Sequence, residues 1–312
     1  MNPPLVSPFV SVVLCAHNPR ADYLLATLQS LRNQDLPLSA WELIVIDNRS
    51  DEPWAGRIDL SWHPNARIVV ESELGLARAR RRGYIEARGD LIVHSDDDNI
   101  LSPNYLRSAS EIFRTFPQLG AFGGQLVARF ERAPRNELER RFGGERLLEG
   151  DRWSNIPDDT RTMPFGAGMC LRREVINAYL AQVATDPRRL SIGRTGNRLL
   201  TGEDIDLNLV ATSLGLGTGL FERMTLEHFI PERHMTADHV IRYGAANAYS
   251  IVILHFLHFG RIVVPRRSIA GATLFWLRVW IRMTPFERRL ELAMHRARAE
   301  AVRDLRAWGW SK

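Results

Sequence analysis

The sequence predicts an α/β protein, a Rossmann-like, mostly parallel sheet flanked by helices, followed by a helical C-terminal appendage. Three observations predict it. Over the first hundred residues short apolar, β-rich runs alternate with amphipathic stretches, the pattern of a parallel sheet covered by helices. Four of these runs end on polar clusters, and the carboxyl ends of strands are where open α/β sheets gather ligands. After Pro231 strand signals stop and long helical patterns take over.

Residues 10–16 are an almost continuous apolar run, as a strand buried on both faces requires. The helix that follows has Asp22 as its expected N-cap and Leu24, Leu28 and Leu31 on one face. Residues 43–46 and 68–70 read as the second and third strands, 74–87 as a helix rich in alanine and arginine, and 91–94 as a strand running into Asp96-Asp97-Asp98. Residues 121–130 suit a strand interrupted at Gly123-Gly124, 132–159 a polar, mobile excursion, and 165–171 a returning strand. A helix over 203–214 should close at Gly215. Helices over 236–258, 268–283 and 286–308 follow, so the expected division is a sheet domain, 1–235, and a helical region, 236–312.

The chain has 312 residues, 45% of them hydrophobic and 25% charged, which excludes disordered, collagen-like and disulfide-scaffold classes. Cys15 and Cys170 both lie in apolar runs and read as small buried thiols, which favours a reducing cytoplasm. Charge is uneven: residues 261–312 carry twelve basic side chains against four acidic, a net of +8 on a chain whose total is +5. A mildly acidic body with a basic tail is not the footprint of a nucleic-acid protein and suits an anionic membrane surface. Residues 1–8 lack the features of a signal peptide. The apolar stretches 251–264 and 269–281 are broken by His255, His258, Gly260, Arg261 and Arg278, short of the ~18 uninterrupted residues of a spanning helix, so no bilayer crossing is expected. Trp276 and Trp280 lie four apart, as do Arg278 and Arg282, and Trp308 and Trp310 close the chain. That makeup fits an in-plane interfacial helix or a helix docked on the sheet domain.

The polar residues past the strand ends are His17 and Asn18, Asp47 and Asn48, Glu71 and Glu73, and the aspartate triplet. Three adjacent carboxylates repel one another unless solvent or a cation screens them. In an extended segment Asp96 and Asp98 share one side and Asp97 the other, an arrangement suited to a hard divalent cation that completes its shell on substrate phosphates. A solvated acidic turn, with Asp98 or Asn99 capping the helix after Pro103, is the plainer alternative. Gly202-Glu203-Asp204-Ile205-Asp206 opens a helix, where Thr201 or Glu203 caps it or a carboxylate is aimed into a cleft as a general base. Of Arg78, Arg80, Arg81 and Arg82, three are expected on a solvated face and one at the rim, placed to meet a diphosphate. Gly215-x-Gly217-x-Gly219 has the wrong spacing for a dinucleotide loop. His228 is a structural imidazole or a metal ligand, and His255 and His258, three apart in an apolar helix, could form half a metal site but, with no acidic partner expected nearby, read as packed or interfacial.

Read in order, residues 10–18 (VSVVLCAHN), 43–50 (LIVIDNRS), 75–83 (GLARARRRG), 95–98 (SDDD) and 202–204 (GED) resemble the family 2 glycosyltransferases of the GT-A fold, over about residues 8 to 235. The resemblance implies that 1–235 is a nucleotide-sugar-binding catalytic domain. It implies that Asp47, with Asn48 beside it, hydrogen-bonds the uracil, that Arg80 in the Ala79-Arg80 pair helps hold the nucleotide, and that Ala16, His17 and Asn18 belong to the same nucleotide site. Asp96 would serve the ribose side, Asp97 would belong to the same donor nucleotide site, Asp98 would bind the metal, Mn2+ or Mg2+, and His228 would complete its shell. Asp204 would be the inverting base in its pair with Glu203, and Arg233, Gly166 and Ala167 would contact diphosphate or acceptor. Two positions depart from the family pattern: Cys15-Ala16-His17-Asn18 replaces the usual Pro-Thr-Tyr-Asn, and Glu73 stands where asparagine is common.

The resulting expectation is a cytoplasmic, metal-assisted inverting glycosyltransferase of hexosyltransferase type. It would use a UDP-sugar donor and a cell-envelope polysaccharide or lipid-linked glycan acceptor. Its C-terminal helices would make peripheral contact with the inner face of the cytoplasmic membrane. The alternative is a non-catalytic GT-A-like module that binds nucleotide or glycan in an assembly.

Overall fold

The computed structural model describes residues 9–141, 144–195, 200–262, 264 and 269–309. Of the positions singled out above, residues 1–8, Ser268, Trp310 and Lys312 lie outside the described residues. The first half builds β1 (Val10–Ala16), α1 (Ala21–Arg32), β2 (Trp41–Asn48), β3 (Ala66–Glu71), α2 (Leu76–Glu86) and β4 (Leu91–Asp96). These four strands pair in parallel in the order β3-β2-β1-β4. Every residue of β1 and β2 is buried, which is why their sequences are apolar on both faces. Register aligns the strand ends: Ala16 lies opposite Asp47, and Cys15 opposite Asp96.

The second half comprises β5 (Asn99–Leu101), α3 (Tyr105–Thr115), β6 (Leu119–Phe130), α4 (Glu137–Arg141), β7 (Arg152–Ser154), β8 (Cys170–Arg172), α5 (Arg173–Thr185), α6 (Glu203–Ser213) and β9 (Gly217–Ile230). The sheet continues from β4 through β8, β6 and β9 to β5, with β7 also on β9. Here β8 runs antiparallel to both neighbours and β6 parallel to β9. The β6–β9 ladder shifts register between Gly124 and Gln125, and a Cβ on Gly124 would overlap the Met224 carbonyl oxygen, so the bulge requires glycine there. One core layer packs Leu14, Val45 and Phe122 against Leu28 of α1 and Leu106 of α3. The other packs Ile44 and Ile46 against Tyr84 of α2, Ile176 and Tyr179 of α5 and Leu207 of α6.

The C-terminal helices are α7 (Ala237–Phe259), α8 (Ile269–Arg282) and α9 (Pro285–Ala307). Thr236 caps α7 and Gly260, in the left-handed region, ends it; Thr284 and Glu287 form a capping box at α9. Gly244 lets α7 close on Leu290 of α9, and the Tyr249 hydroxyl donates to Asp304 at 2.7 Å. A third apolar cluster joins Val252, Ile253 and Leu254 of α7 and Ala301 and Leu305 of α9 to Met163, Ile192 and Leu209. Among the described residues α7 is the one helix long and apolar enough to cross a membrane. Its Val252, Ile253 and Leu254 are buried in that cluster.

Several local expectations are corrected. Arg20, not Asp22, is the N-cap of α1; Asp22 sits in the first turn, where a carboxylate still favours the dipole, and pairs with Arg20 at 2.7 Å. Asn104 precedes α3, so neither Asp98 nor Asn99 caps it. Of the expected strand over 165–171 only residues 170 and 171 join the sheet, in β8, because the chain turns at Gly168 (φ 71). Gly202 is the N-cap of α6, without a side-chain cap; the Thr201 hydroxyl bonds Asn247 of α7 instead.

Glu42 of β2 is fully buried, accepting from the Ser11 hydroxyl and the Arg88 amide, each at 2.7 Å, and pairing with Arg67 at 2.7 Å and Arg88 at 3.0 Å. Burial pushes its pKa up, but the hydrogen bonds from Arg67, Ser11 and the Arg88 amide outweigh it and hold the carboxyl below its ordinary value. A pKa lower in the folded than in the unfolded chain gives stability present above the unfolded value, about 4.3, and lost as pH falls through the folded one. Glu42→Gln is therefore expected to cost about 2 kcal/mol at neutral pH, and the difference should narrow in acid. Urea unfolding of both proteins at neutral and acid pH checks this; a gap that stays constant would rule out the carboxylate charge as its source.

Candidate active site

The rim begins where β1, β2 and β4 end level. Ala16 is buried at the end of β1, and the chain then leaves the sheet through exposed His17 and Asn18. Asn18 is in the left-handed region (φ 48), its amide donating to the Ser50 hydroxyl at 3.0 Å and its side chain to Asp51 at 2.7 Å. The His17 Nδ1 lies 2.9 Å from the Asn48 carbonyl oxygen. Asp47, buried, accepts the Ser50 amide at 3.1 Å. Asn48 is a strut: its Oδ1 accepts the Gly75 amide at 2.8 Å and its Nδ2 donates to the Glu73 carbonyl at 2.7 Å. Gly75 (φ 145) caps α2, a conformation open to glycine, and so brings the start of that helix to the strand ends. Ala16, His17, Asn18, Asp47 and Asn48 thus share one rim.

Arg80 is the hub beside it. Only 3% exposed, it reaches Asp96 at the end of β4 (2.9 Å) and Glu203 at the start of α6 (3.1 Å). Arg78 instead pairs with Glu73 and Arg82 with Glu86, while Arg81 is exposed, so one arginine of the four turns to the rim as expected. Gly166 packs on the Arg80 guanidinium and donates its amide to Asp204 at 3.1 Å; Ala167, half-buried, follows it and packs on the sheet core. Burial raises the Glu203 carboxyl to about 7 against the pull of Arg80, and its Oε1 has no hydrogen-bond partner. Burial likewise raises Asp204, with Arg80 and the Gly166 amide pulling the other way.

The aspartate triplet is not extended: Asp97 and Asp98 form the turn between β4 and β5, so the expected alternation of sides does not hold. Buried Asn99 pins that turn, accepting the Asp96 amide at 3.1 Å and donating to Asp98 at 3.0 Å. Because β5 pairs with β9, with Asn99 opposite His228, the His228 Nε2 comes within 3.3 Å of Asp98. Burial works against charge on both, yet each outweighs it for the other: Asp98 is held below the usual carboxylate range and His228 raised. Burial, with Asp98 and Asp96 alongside, pushes Asp97 up to about 8.

Arg194 was not anticipated. Its carbonyl accepts the Leu76 amide at 2.9 Å, laying the loop before α6 over the start of α2, and its charge acts on Asp98, His228, Asp204 and His234. It sits in an aperiodic segment, and no spacing signal marks it. Arg233 is exposed on the turn after β9, acting on Glu131, His234 and His239. The expectation that His255 and His258 lack acidic partners is wrong. His258 lies 2.6 Å from Asp206, which also pairs with Arg189, and His255 lies 3.2 Å from Asp158. Both carboxylates come from distant parts of the chain, out of reach of a local reading.

A central sheet flanked by helices, with carboxylates from separate strand and helix ends meeting one buried arginine at its rim, defines a GT-A-like protein. The family model described as glycosyl transferase family 2 matches residues 11–180, and the chain belongs to that family. It is a glycosyltransferase, and the family implies a nucleotide-sugar donor and a glycan acceptor. α6 and β9, with Asp204 and His228, lie beyond the matched segment. Among solved structures, the crystal structure of S. aureus TarS 1–349 is similar in fold, with a TM-score of 0.52 at 12% identity, covering 95% of this chain and 89% of that one. No curated protein matches the chain.

Proposed function

We propose that the protein is an inverting hexosyltransferase that moves a sugar from a UDP-sugar to a hydroxyl of a cell-envelope polysaccharide or lipid-linked glycan, assisted by Mn2+ or Mg2+. The observation that carries the reading is the fixing of Asp204 by the Gly166 amide on the rim that holds Arg80, Asp96 and Asp47. One Asp47 oxygen accepts the Ser50 amide, and a carboxylate has lone pairs to spare for a uracil N–H. Asp204, its pKa raised by burial, is a stronger proton acceptor than an exposed aspartate. It takes the proton of the acceptor hydroxyl as that oxygen attacks the anomeric carbon from the face opposite the diphosphate. The bond to the diphosphate oxygen breaks with its electron pair, giving inversion in one displacement without a covalent intermediate. Arg194 adds positive charge on the side of the departing diphosphate.

Among the described residues no three His, Cys, Asp or Glu side chains form a metal cluster. Asp98 and His228, in contact, still fit a hard dication, which takes one or two protein ligands and finds the rest on phosphates and water. Those two residues would hold it, and when bound it neutralises charge on the leaving diphosphate. Phe165, exposed beside Gly166 with Arg146 stacked 3.4 Å over its ring, offers a flat apolar face for the acceptor sugar.

Thermal unfolding with UDP and manganese tests the donor and metal assignments. UDP is expected to raise the melting midpoint more with manganese than without, and Asp98→Ala should abolish the metal-dependent part. Identical shifts with and without manganese, or an unchanged Asp98→Ala, would overturn them. Slow manganese-dependent hydrolysis of a UDP-sugar by the purified chain is expected of the enzyme and not of a non-catalytic module.

A further inference from the structure

We infer that α8 is a membrane-surface helix, with Leu274, Leu277, Trp280 and Ile281 seated in the interface of an anionic bilayer and Arg278 and Arg282 on its lipid phosphates. The inner side of α8 is committed to the protein: Val279 is buried, and the Trp276 ring meets His295 of α9 edge-on at 5.3 Å. The outer side is not. Leu274, Leu277, Trp280 and Ile281 are each between 54% and 70% exposed. Positions 274, 277 and 281 follow the i, i+3, i+7 spacing of one helical stripe, and Trp280 borders it. Large apolar side chains clustered this way on one helix mark a contact surface rather than scattered exposure. At ~21 Å, a helix of this length does not cross a hydrocarbon core but can lie along its surface.

Charge identifies the occupant. Arg278 and Arg282, both exposed and four apart, run along one edge of the apolar stripe, and α8 contains no acidic residue. A symmetric contact with α8 of a second copy would supply no carboxylate for these guanidinium groups from that helix, and burying them unpaired is costly. An anionic bilayer answers both halves of the surface, with acyl chains for the stripe and phosphates for the arginines. The net +8 of residues 261–312 adds attraction at longer range. Trp280, with the Arg288 guanidinium 5.1 Å from its ring, has the amphipathic ring that settles at headgroup level. The inference is independent of the reaction proposed above.

Co-sedimentation of the full chain with vesicles tests it, comparing phosphatidylglycerol mixed into phosphatidylcholine with phosphatidylcholine alone. The protein should bind the mixed vesicles, far less the neutral ones, and lose binding as salt rises. Leu277→Gln with Ile281→Gln should lower partition by on the order of tenfold or more, and Arg278→Gln with Arg282→Gln by roughly tenfold at low salt. All four side chains are exposed, so both double variants should keep the parent melting midpoint. Equal binding to both vesicle types overturns the inference, as does full binding by the Leu277/Ile281 variant. Self-association that this variant abolishes, in a chain that ignores vesicles, would assign the face to a second copy.

Discussion

Asp204→Asn is expected to lower turnover by about a hundred- to ten-thousandfold while leaving UDP-sugar affinity nearly unchanged. The amide has the shape of the carboxylate, and its oxygen can still accept the Gly166 amide that fixes residue 204, so the loop beside Arg80 keeps its place. What is lost is the ability to take a proton. The pH profile provides a second reading of the same group. A general base works only when ionised, and burial places the Asp204 pKa above the ordinary aspartate value, so the acid limb of kcat should lie above that value. Activity should therefore fall as pH drops through that limb. Steady-state kinetics paired with calorimetric titration of UDP checks the assignment. Full turnover in Asp204→Asn would refute the base, and an equal loss of donor affinity would make Asp204 a binding residue.

Arg80→Met should destabilise the fold by about 3–5 kcal/mol, the usual cost of removing one partner from a buried ion pair. It strips the cation from Glu203, which is buried, and from Asp96, whose side chain is 27% exposed. The sign of the pH dependence follows from Glu203, whose pKa burial already lifts to about 7 against the pull of Arg80. Without the guanidinium the folded-state pKa rises further, so the folded chain binds more protons than the unfolded one, and stability increases as pH falls. The deficit of Arg80→Met should accordingly shrink between mildly alkaline and mildly acidic pH. Denaturant unfolding at both ends checks this. A loss under about 1 kcal/mol would mean that Arg80 is not the cation these carboxylates depend on.

The sequence revealed different parts of the molecule with unequal clarity. β1 to β4 were legible because both faces of β1 and β2 are covered, which forces continuous apolar runs, and because the polar residues begin where the strands stop. β9 was not recognised as a strand. Its fourteen residues open on Gly217-Thr218-Gly219 and carry exposed Glu222 and Arg223 at the register shift, which breaks the alternation that would mark it. α3 is expected from sequence only as a helix after Pro103 and α5 is not assigned at all, although their buried faces lie in the two core layers. At the site, motifs located Asp47, Arg80, the triplet and the Glu203-Asp204 pair, and these do converge. The closing contact from Arg80 to Glu203 spans 123 residues, and no local pattern encodes it. Arg194 and the carboxylate partners of His255 and His258 were out of reach for the same reason.

α6 carries Asp204 in its first turn and, two residues farther on, is tied through Asp206 to Arg189 and to His258 of α7. The oil-lined seam behind it is shared with both α7 and α9. The tail is therefore no interchangeable handle. A chimera that grafts a foreign C-terminus after β9 would strip Asp206 of its imidazole, open that seam to water and slacken the helix that aims residue 204. Retargeting the protein to another surface would mean rewriting the outward stripe of α8 and leaving its scaffold untouched.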